Sequence, residues 1–327
     1  MQDLEIWLKS VLDGEPHQVA PASADASFRR YFRVRVGERS YIAMDAPPDK
    51  EDCRPYIHVA ALFGAAGVHV PTVLEQDLER GFLLLTDLES TTYLQALNHD
   101  TAPGLYRDAI DALVKIQLAS RPGELPEYDS ALLMREMRLF PDWYLARHIK
   151  AALSPSQADA LERVFEQVLH NNLAQPRVYV HRDYHSRNLM VTAPNPGILD
   201  FQDAVYGPIT YDLVSLFKDA YVSWDEERVL DWVIRYWERA KRARLPVAAD
   251  FYDFYRDFEW MGVQRHIKVL GIFARLCHRD GKEGYLKDMP LVMHYLRGAC
   301  GRYQALHPML KLLDEIEGTE ARVGYTF

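Results

Sequence analysis

The hydrophobic pattern of the chain changes from strand-like to helical near residue 90. Upstream of this point, "SFRRYFRVRV" and "RSYIAMDA" are strand-like runs joined by Gly-Glu, a pair typical of a hairpin turn. "HVPTVLEQD" and "GFLLLTDL" predict a second pair of strands, and a helix is expected between the two pairs over residues 53–66. The sequence therefore predicts an α+β protein with a small β-rich N-lobe (1–88), a hinge near residues 85–92 and a larger α-helical C-lobe (89–327).

The helical half contains one well-marked helix start and one segment that is not helical. Ser154 is predicted to be the N-cap of a helix, with Pro155 at its first position and Gln157 in the capping-box position. In the segment 178–201, "VYV", "NLMV" and "GILDF" are short β-like runs, so its polar residues are expected on a β-hairpin among helices. Further helices are predicted over residues 104–119, 129–150, 209–222, 226–243, 250–278 and 289–305.

The composition permits a sizeable core and argues against polyanionic partners. The chain has 327 residues, 48% of them hydrophobic, and a formal net charge of −9. Nucleic acid and anionic membranes need a concentrated positive field, which an acidic chain is unsuited to provide. Cys53, Cys277 and Cys300 form no CxxC motif, the N-terminus does not read as a signal peptide, and no apolar run approaches the roughly 20 residues that span a bilayer. We therefore expect a cytoplasmic protein with a small-molecule partner, and a monomer is favoured.

The stretch "VYVHRDYHSRNLMV" (178–191) concentrates polar side chains between two apolar runs and allows three interpretations. His181, Asp183 and His185 alternate, so on a strand they would share one face and could bind zinc. Alternatively, the stretch is a structural polar turn whose histidines are hydrogen-bonded within the fold. The third interpretation is a site of phosphoryl transfer.

Phosphoryl transfer needs one carboxylate to accept the proton of a substrate hydroxyl and oxygen ligands for Mg²⁺. Asp183 can supply the first. Asn188, five residues further on, and Asp200, at the end of an apolar run, can supply the metal ligands. This spacing of two carboxylates and an amide on adjacent β segments favours the third interpretation.

The combination of "HRDYHSRN" and "ILDFQDAVYGPITYDLVSL" resembles the signature of the aminoglycoside phosphotransferase and choline kinase family. The resemblance covers nearly the whole chain. Within the family it is closest to the bacterial kinases of cell-wall amino sugars, through "ASFRRYFRV", "LLLTDLES" and "LFPDWYL". It implies a bilobal protein-kinase-like fold that uses ATP and Mg²⁺. It also implies phosphorylation of N-acetylmuramate and N-acetylglucosamine at the anomeric hydroxyl, which would return cell-wall sugars to synthesis as sugar 1-phosphates.

The resemblance also implies a role for each polar residue of the signature. Asp183 would be the catalytic base, and Asn188 and Asp200 would hold Mg²⁺. Asp212 would be structural, hydrogen-bonding the catalytic loop near His181 from the start of the next helix.

The N-terminal half departs from the kinase pattern at the phosphate-binding elements. No G-x-G-x-x-G is present, although the small residues of "ASADASFRR", with Ser27 and Phe28, could present backbone N–H groups to phosphate. Met44 stands where a strand lysine is expected, and no glutamate is obvious in the following helix, where His58 lies near the position. We predict that Arg29 or Arg30 replaces the lysine.

The hinge and the helical half supply the remaining candidates. Backbone groups around Asp87 and Leu88 are expected to meet the adenine edge. A polar sugar pocket with an aromatic floor is predicted, although Trp143 and Trp260 are more typical of core positions. Its candidate residues are Glu136, Asp142, Trp143, Arg265 and His266, with Arg265 or Arg187 for a lactyl carboxylate.

Two other functions remain open at the level of sequence. An aminoglycoside or choline-type kinase would use the same catalytic residues on a cationic substrate. A non-catalytic nucleotide-binding protein is suggested by the missing lysine at Met44, but the presence of Asp183, Asn188 and Asp200 argues against it. Protein kinase activity is disfavoured because the metal motif reads "DFQ" and no "APE" follows.

Overall fold

The computed structural model of the chain describes residues 2–24 and 28–318. The helices and strands of the first part, in chain order, are α1 (Gln2–Val11), β1 (Gln18–Ala24), β2 (Arg30–Val36), β3 (Arg39–Asp45), α2 (Arg54–Ala65), β4 (Val73–Asp77), β5 (Phe82–Thr86), α3 (Tyr93–Ala96) and α4 (Ala102–Leu118). Those of the remainder are α5 (Ser130–Leu139), a π-helix (Phe140–Ile149), α6 (Pro155–Ala174), β6 (Arg177–Val180), β7 (Leu189–Met190), β8 (Gly197–Ile198), β9 (Val205–Pro208), α7 (Tyr211–Phe217), α8 (Glu226–Arg242), α9 (Phe251–Asp280), a 3-10 helix (Glu283–Asp288), α10 (Met289–Arg302), a second 3-10 helix (Gln304–Leu306) and α11 (His307–Glu317). None of the helices in these described ranges is both long and apolar enough to cross a membrane.

The described chain divides into two compact units that are not continuous in sequence. The first unit consists of the described residues up to Ala119 together with Arg187–Ala204. The second consists of Ser120–Ser186 and the described residues from Val205 onward. The units therefore do not divide at the predicted boundary between residues 88 and 89, and the assignment of functions to the two predicted lobes stays a prediction.

The first unit is built on a five-stranded antiparallel sheet in the order β1-β2-β3-β5-β4. The turn between β2 and β3 is the predicted Gly-Glu hairpin, and Gly37 takes the positive φ of 58° that a tight turn requires. One face of the sheet is covered by the apolar side of α1, through Leu4, Trp7 and Leu8. Burial of this face gives the small unit a core of its own.

The segment 187–204 extends the first unit with a second, two-stranded sheet. β7 pairs with β8, and the backbone N–H of Ile198 donates to the carbonyl of His69 at 2.8 Å. β6 pairs instead with β9, within the second unit. The predicted hairpin is thus two separate pairings, because the chain leaves the second unit after Ser186 and returns to it at Val205.

The second unit is helical, and α9 is its central element with 30 residues. The predicted capping box at Ser154 and Gln157 is confirmed. The predicted helix over 129–150 is in fact two elements, since α5 ends at Leu139 and a π-helix follows. Pro141 lies at the start of this π-helix, where its missing N–H prevents the α-helical hydrogen bonding from continuing.

Candidate active site

A cavity of ≈ 390 Å³ lies within the first unit. Its walls come from the five-stranded sheet, from the segment after β5, and from the segment that carries β7 and β8. The residues that line it are Ala22, Tyr31, Arg33, Ile42, Tyr56, Pro71, Leu85, Thr86, Asp87, Leu88, Glu89, Ser90, Thr92, Arg187, Asn188, Met190, Leu199 and Asp200. The sheet thus shares one concave site with Asn188 and Asp200, which were assigned to the metal on sequence grounds.

The segment after β5 is fixed to the sheet by its first side chain. Arg33 donates to both carboxylate oxygens of Asp87, from Nε at 2.6 Å and from Nη2 at 3.0 Å. Arg33 also donates to the carbonyl of Glu89 at 2.7 Å, and Ser40 Oγ donates to Asp87 Oδ2 at 2.5 Å. A bidentate pair of this kind orients as well as attracts, so it sets the path of the backbone at Asp87 and Leu88 along the cavity.

Arg29 and Arg30, the two candidates for the missing cation, lie in different surroundings. Arg29 Nη2 is 2.9 Å from Glu51 Oε2, and both side chains are largely buried, with 11% and 13% exposed. Arg30 forms an ion pair with Asp45 and is 54% exposed. Met44 itself is fully buried in β3. The backbone N–H of Phe28 also donates to Glu51, at 3.2 Å, and Ser27 lies outside the described residues.

Strand register places Arg30, the first residue of β2, on the face of the sheet that does not line the cavity, whereas Arg29 precedes the strand. Arg30 pairs with Asp45, whereas Tyr31 pairs with Met44 and lines the cavity. Since neighbouring residues on a strand point to opposite faces, Arg30 points away from the face that carries Tyr31. The charge of Arg29 acts on the buried hydroxyl of Tyr56, a cavity residue whose pKa is raised well above its usual value, mainly by burial. Of the two arginines, Arg29 is therefore the one whose charge acts on a residue of the cavity wall.

Asn188 and Asp200 are brought together by the β7–β8 pairing. The backbone N–H of Leu199 donates to the carbonyl of Asn188 at 2.9 Å, and Asn188 Nδ2 donates to Asp200 Oδ2 at 3.2 Å. Gln202 Nε2 donates to the other carboxylate oxygen of Asp200 at 2.8 Å. Asp200 has a positive φ of 61°, which L-residues adopt at a cost of about 1–2 kcal/mol.

The residues present fit a magnesium ion. A carboxylate and an amide carbonyl are the oxygen ligands that Mg²⁺ prefers, and both side chains line the cavity. Within residues 2–24 and 28–318, no group of three or more His, Cys, Asp and Glu side chains is placed so that it could hold a metal.

Asp183 lies in the second unit, at the end of the loop that follows β6. Its side chain is 45% exposed, and Oδ1 is 3.7 Å from Arg265 Nη2. Burial acts to raise the pKa of Asp183, but nearby positive charges outweigh it and hold this pKa well below its usual range. These charges belong, in order of decreasing effect, to Lys268, His185, Arg265 and Arg182. Asp183 is therefore an ionised, accessible carboxylate at neutral pH.

Asp212, at the start of α7, holds the backbone of this loop as the family resemblance implied. Its Oδ2 accepts from the backbone N–H of His181 at 2.7 Å and its Oδ1 from that of Arg182 at 3.0 Å. Burial is the main cause that raises the pKa of Asp212, to about 7. His181 is completely buried, and its Nδ1 accepts from the backbone N–H of Asp183 at 3.2 Å. Asp212 and His181 therefore both help to fix the backbone conformation of the loop.

The predicted sugar-binding residues are spread over several environments. Arg265 is buried beside Asp183, while His266 is buried and stacks on Tyr295 at 5.3 Å between ring centroids. Glu136 is buried in an ion-pair network, as described below. Trp143 and Trp260 are half-buried and pack against the helical core of the second unit, as expected of core residues. Arg187 belongs to the first unit and lines its cavity.

Sequence reasoning missed three residues at these sites. Arg33 fixes the segment after β5, and Glu51 pairs with Arg29. Lys268 is 5% exposed on α9 and exerts the largest charge effect on Asp183. A signal for Lys268 was present, since "VQRHIKVLG" places several polar residues within a buried apolar run.

Comparison with known proteins identifies the family of the chain. The model of a phosphotransferase enzyme family, APH, matches residues 18–250. The chain belongs to this phosphotransferase family. As a phosphotransferase, it is an enzyme, which decides against the non-catalytic interpretation suggested by Met44.

Curated relatives of this phosphotransferase cover nearly its full length. A protein of Pseudomonas aeruginosa named N-acetylmuramate/N-acetylglucosamine kinase is 51% identical, with 98% of each chain covered. Proteins with the same name from Neisseria meningitidis and Caulobacter vibrioides are 48% and 31% identical, covering 99% and 91% of this chain and 98% and 92% of their own.

Solved structures similar to the phosphotransferase show its fold. The choline kinase LicA of Streptococcus pneumoniae aligns with a TM-score of 0.64 at 12% identity, covering 91% of this chain and 100% of the other. The ADP-bound aminoglycoside phosphotransferase APH(2'')-Ib aligns with a TM-score of 0.58 at 13% identity, covering 90% and 97%. The chain therefore has the bilobal α+β, protein-kinase-like fold that the sequence predicted.

Proposed function

We propose that the chain uses ATP to phosphorylate the anomeric hydroxyl of N-acetylmuramate and N-acetylglucosamine. The product would be the sugar 1-phosphate, which suits a role in cell-wall recycling. The observation that carries this proposal is the identity of 48–51% over almost the whole chain with three proteins named as kinases of these two sugars. The presence of Asp183, Asn188 and Asp200 in the described geometry supports it.

Asp183 is assigned the role of the base. In the reaction, the C1 hydroxyl oxygen of the sugar forms a bond to the γ-phosphorus of ATP, and the bond from this phosphorus to the ADP oxygen breaks. The hydroxyl proton passes to Asp183 and then to solvent. Since its pKa lies below the usual range, Asp183 is a weak base, suited to orienting the hydroxyl and accepting the proton late in the transfer.

Asn188 and Asp200 are assigned to Mg²⁺. The chemistry supplied by Mg²⁺ held there is the neutralisation of charge on the phosphates. The chain's own contribution is orientation, because Gln202 and Asn188 each donate to one carboxylate oxygen of Asp200. The segment of Asp87 and Leu88, fixed by Arg33, is assigned to the adenine edge.

Arg29 is assigned the role of the missing lysine. It directly precedes β2, its charge acts on the cavity residue Tyr56, and Glu51 would hold it as a glutamate holds the lysine in other kinases. Arg30 points to the face of the sheet that does not line the cavity. Ser27 and Phe28, the other phosphate candidates, precede Arg29 directly in the chain.

The acceptor sugar is assigned to the second unit. Arg265 lies beside Asp183, and a carboxylate such as the lactyl group of N-acetylmuramate would suit its guanidinium. Trp143, Asp142 and His266 remain candidate contacts. A cytoplasmic, monomeric enzyme without nucleic-acid or membrane partners fits this role.

The decisive experiment is an acceptor screen with the purified chain. ATP consumption is measured with N-acetylmuramate, N-acetylglucosamine, aminoglycosides, choline and homoserine, and the product is located by ³¹P and ¹³C NMR. Phosphorylation of both amino sugars at C1, abolished by Asp183→Asn, is expected. Turnover with cationic acceptors alone, or phosphate at another hydroxyl, would overturn the proposal.

A further inference from the structure

Arg182, which directly precedes Asp183, has a backbone conformation that few residues adopt. Its φ is 78°, in the left-handed region that costs an L-residue about 1–2 kcal/mol. Both of its backbone polar groups are held, since the N–H donates to Asp212 at 3.0 Å and the carbonyl accepts from Ser215 Oγ at 3.2 Å. Strained residues of this kind cluster at functional sites, where the surrounding structure holds them in place.

The side chain of Arg182 is held by Glu136, a residue of α5. The guanidinium donates to Glu136 Oε1 and lies 5.6 Å from the ring centroid of Tyr128. The two charged side chains are 19% and 7% exposed. Arg182 is therefore fixed at its N–H, its carbonyl and its guanidinium, and the carboxylate of Asp183 begins one residue further on.

Glu136 connects this arginine to α9. Lys268 Nζ lies 3.1 Å from Glu136 Oε1, and Gln264 Nε2 donates to Glu136 Oε2 at 3.3 Å. Tyr128 also donates its hydroxyl to Glu136 Oε2. Burial acts to raise the pKa of Glu136, but Lys268 and Arg182 together hold it below its usual value, so the carboxylate is ionised.

We propose that Glu136 is a positioning residue for Asp183. It anchors Arg182 to α5 and α9 and so fixes the path of the chain that presents the catalytic carboxylate. Lys268 belongs to the same anchor, since its ammonium contacts Glu136 and also donates to the hydroxyl of Tyr211 at 2.9 Å. The kinetic part of this inference rests on the proposed function, because it needs an acceptor whose turnover is measured.

A direct contact between Glu136 and the sugar, as the sequence suggested, has different consequences. Loss of a substrate contact that is equal in the ground and transition states raises the KM for the sugar and leaves kcat unchanged. Loss of positioning lowers kcat, since a displacement of about 1 Å at the reacting group costs on the order of 100-fold in rate.

Glu259 provides a matched control for the loss of a buried carboxylate. It is 1% exposed and also has a lysine, an arginine and a tyrosine as partners. Lys218 Nζ is 3.5 Å from Oε1, Arg302 Nη2 is 2.6 Å from Oε1, and Tyr303 donates its hydroxyl to Oε2 at 2.7 Å. None of these described partners belongs to the loop of Arg182 and Asp183.

The test compares Glu136→Gln and Glu259→Gln in the full chain. Both are expected to lower the unfolding midpoint. Only Glu136→Gln is expected to lower kcat, by about 10- to 100-fold, with the KM values for ATP and sugar within a factor of three. Glu136→Asp keeps the charge but shortens the reach by one methylene, so it is expected to fold and to show a smaller loss of kcat. A raised KM for the sugar with normal kcat, or an equal kcat loss in both Gln variants, would overturn the proposal.

Hydrogen–deuterium exchange separates this proposal from the proposed function. In Glu136→Gln, or in Glu136→Asp if the former does not fold, the amides of residues 181–186 are expected to exchange faster, while in Glu259→Gln they match the wild type. Unchanged exchange in the Glu136 variants would contradict positioning. If the wild type phosphorylates no amino sugar, the proposed function fails, yet the exchange comparison still decides whether Glu136 holds the loop.

Discussion

Arg29 and Glu51 form a largely buried ion pair, with 2.9 Å between Nη2 and Oε2, in a protein that has methionine at the expected lysine position. The pair joins the start of β2 to the segment before α2. A largely buried pair is expected to hold its geometry better than an exposed one, which solvent and salt weaken. We therefore expect this pair to present a cation to the phosphates of the nucleotide.

Replacement of Arg29 by alanine is expected to raise the KM for ATP at least tenfold, with a smaller effect on the KM for the sugar. Arg30→Ala is expected to change the KM for ATP less than threefold, because Arg30 faces the other side of the sheet and is 54% exposed. Steady-state kinetics at saturating sugar measures both. An effect of Arg30→Ala larger than that of Arg29→Ala would reverse the assignment, and Arg39→Ala at an exposed ion pair serves as the control.

Replacement of Asp212 by asparagine is expected to weaken the pH dependence of stability. Burial raises the pKa of Asp212 to about 7, above the value of about 3.9 for an unfolded aspartate. The protonated group therefore stabilises the fold below pH 4, and this contribution is lost as the pH rises through about 7. Urea denaturation between pH 4 and pH 8 should show that the free energy of unfolding falls less with rising pH for Asp212→Asn than for the wild type. The control Asp159→Asn removes an exposed carboxylate of α6. Its free energy of unfolding should fall with pH as much as that of the wild type.

Replacement of Asp200 by asparagine is expected to lower the affinity for the metal more than it lowers the stability of the fold. Loss of the anionic ligand assigned to the metal should raise the Mg²⁺ concentration for half-maximal rate at least tenfold. Mg²⁺ titration of the rate, together with isothermal calorimetry of Mn²⁺ in the presence of ADP, measures this change. Asp203→Asn, at an exposed carboxylate three residues away, is the control. Equal metal dependence in the two variants would remove Asp200 from the metal site.

Replacement of Gly271 by alanine is expected to destabilise the second unit. A Cβ at this position of α9 would lie 2.4 Å from the carbonyl carbon of Leu139, where α5 passes into the π-helix. Overpacking of this kind costs about 1–3 kcal/mol. Gly298→Ala is the matched control, since its Cβ would meet nothing closer than 3.8 Å within α10, and the helix should gain about 0.5–1 kcal/mol. Urea denaturation should move the two midpoints in opposite directions.

The fold class was predictable because its signals are local. Strand alternation, the Gly-Glu hairpin and the capping box of Ser154 and Gln157 each depend on residues within a few positions of one another. The π-helix was not predicted, since the sequence pattern was interpreted as one helix over 129–150 and only packing decides how the chain passes Pro141. The division of the chain between the two units was hidden for the same reason.

The sequence by itself was enough to predict the chemistry of the site, because Asp183 and Asn188 are close in the chain and Asp200 ends a recognisable apolar run. It also narrowed the missing cation to two neighbouring arginines. Only the tertiary structure decided that Arg29 pairs with Glu51 and that Arg182 is held by Glu136, 46 residues away in sequence. Such partners have no fixed spacing along the chain, because the tertiary fold of each unit brings them into contact, and burial makes each pairing necessary.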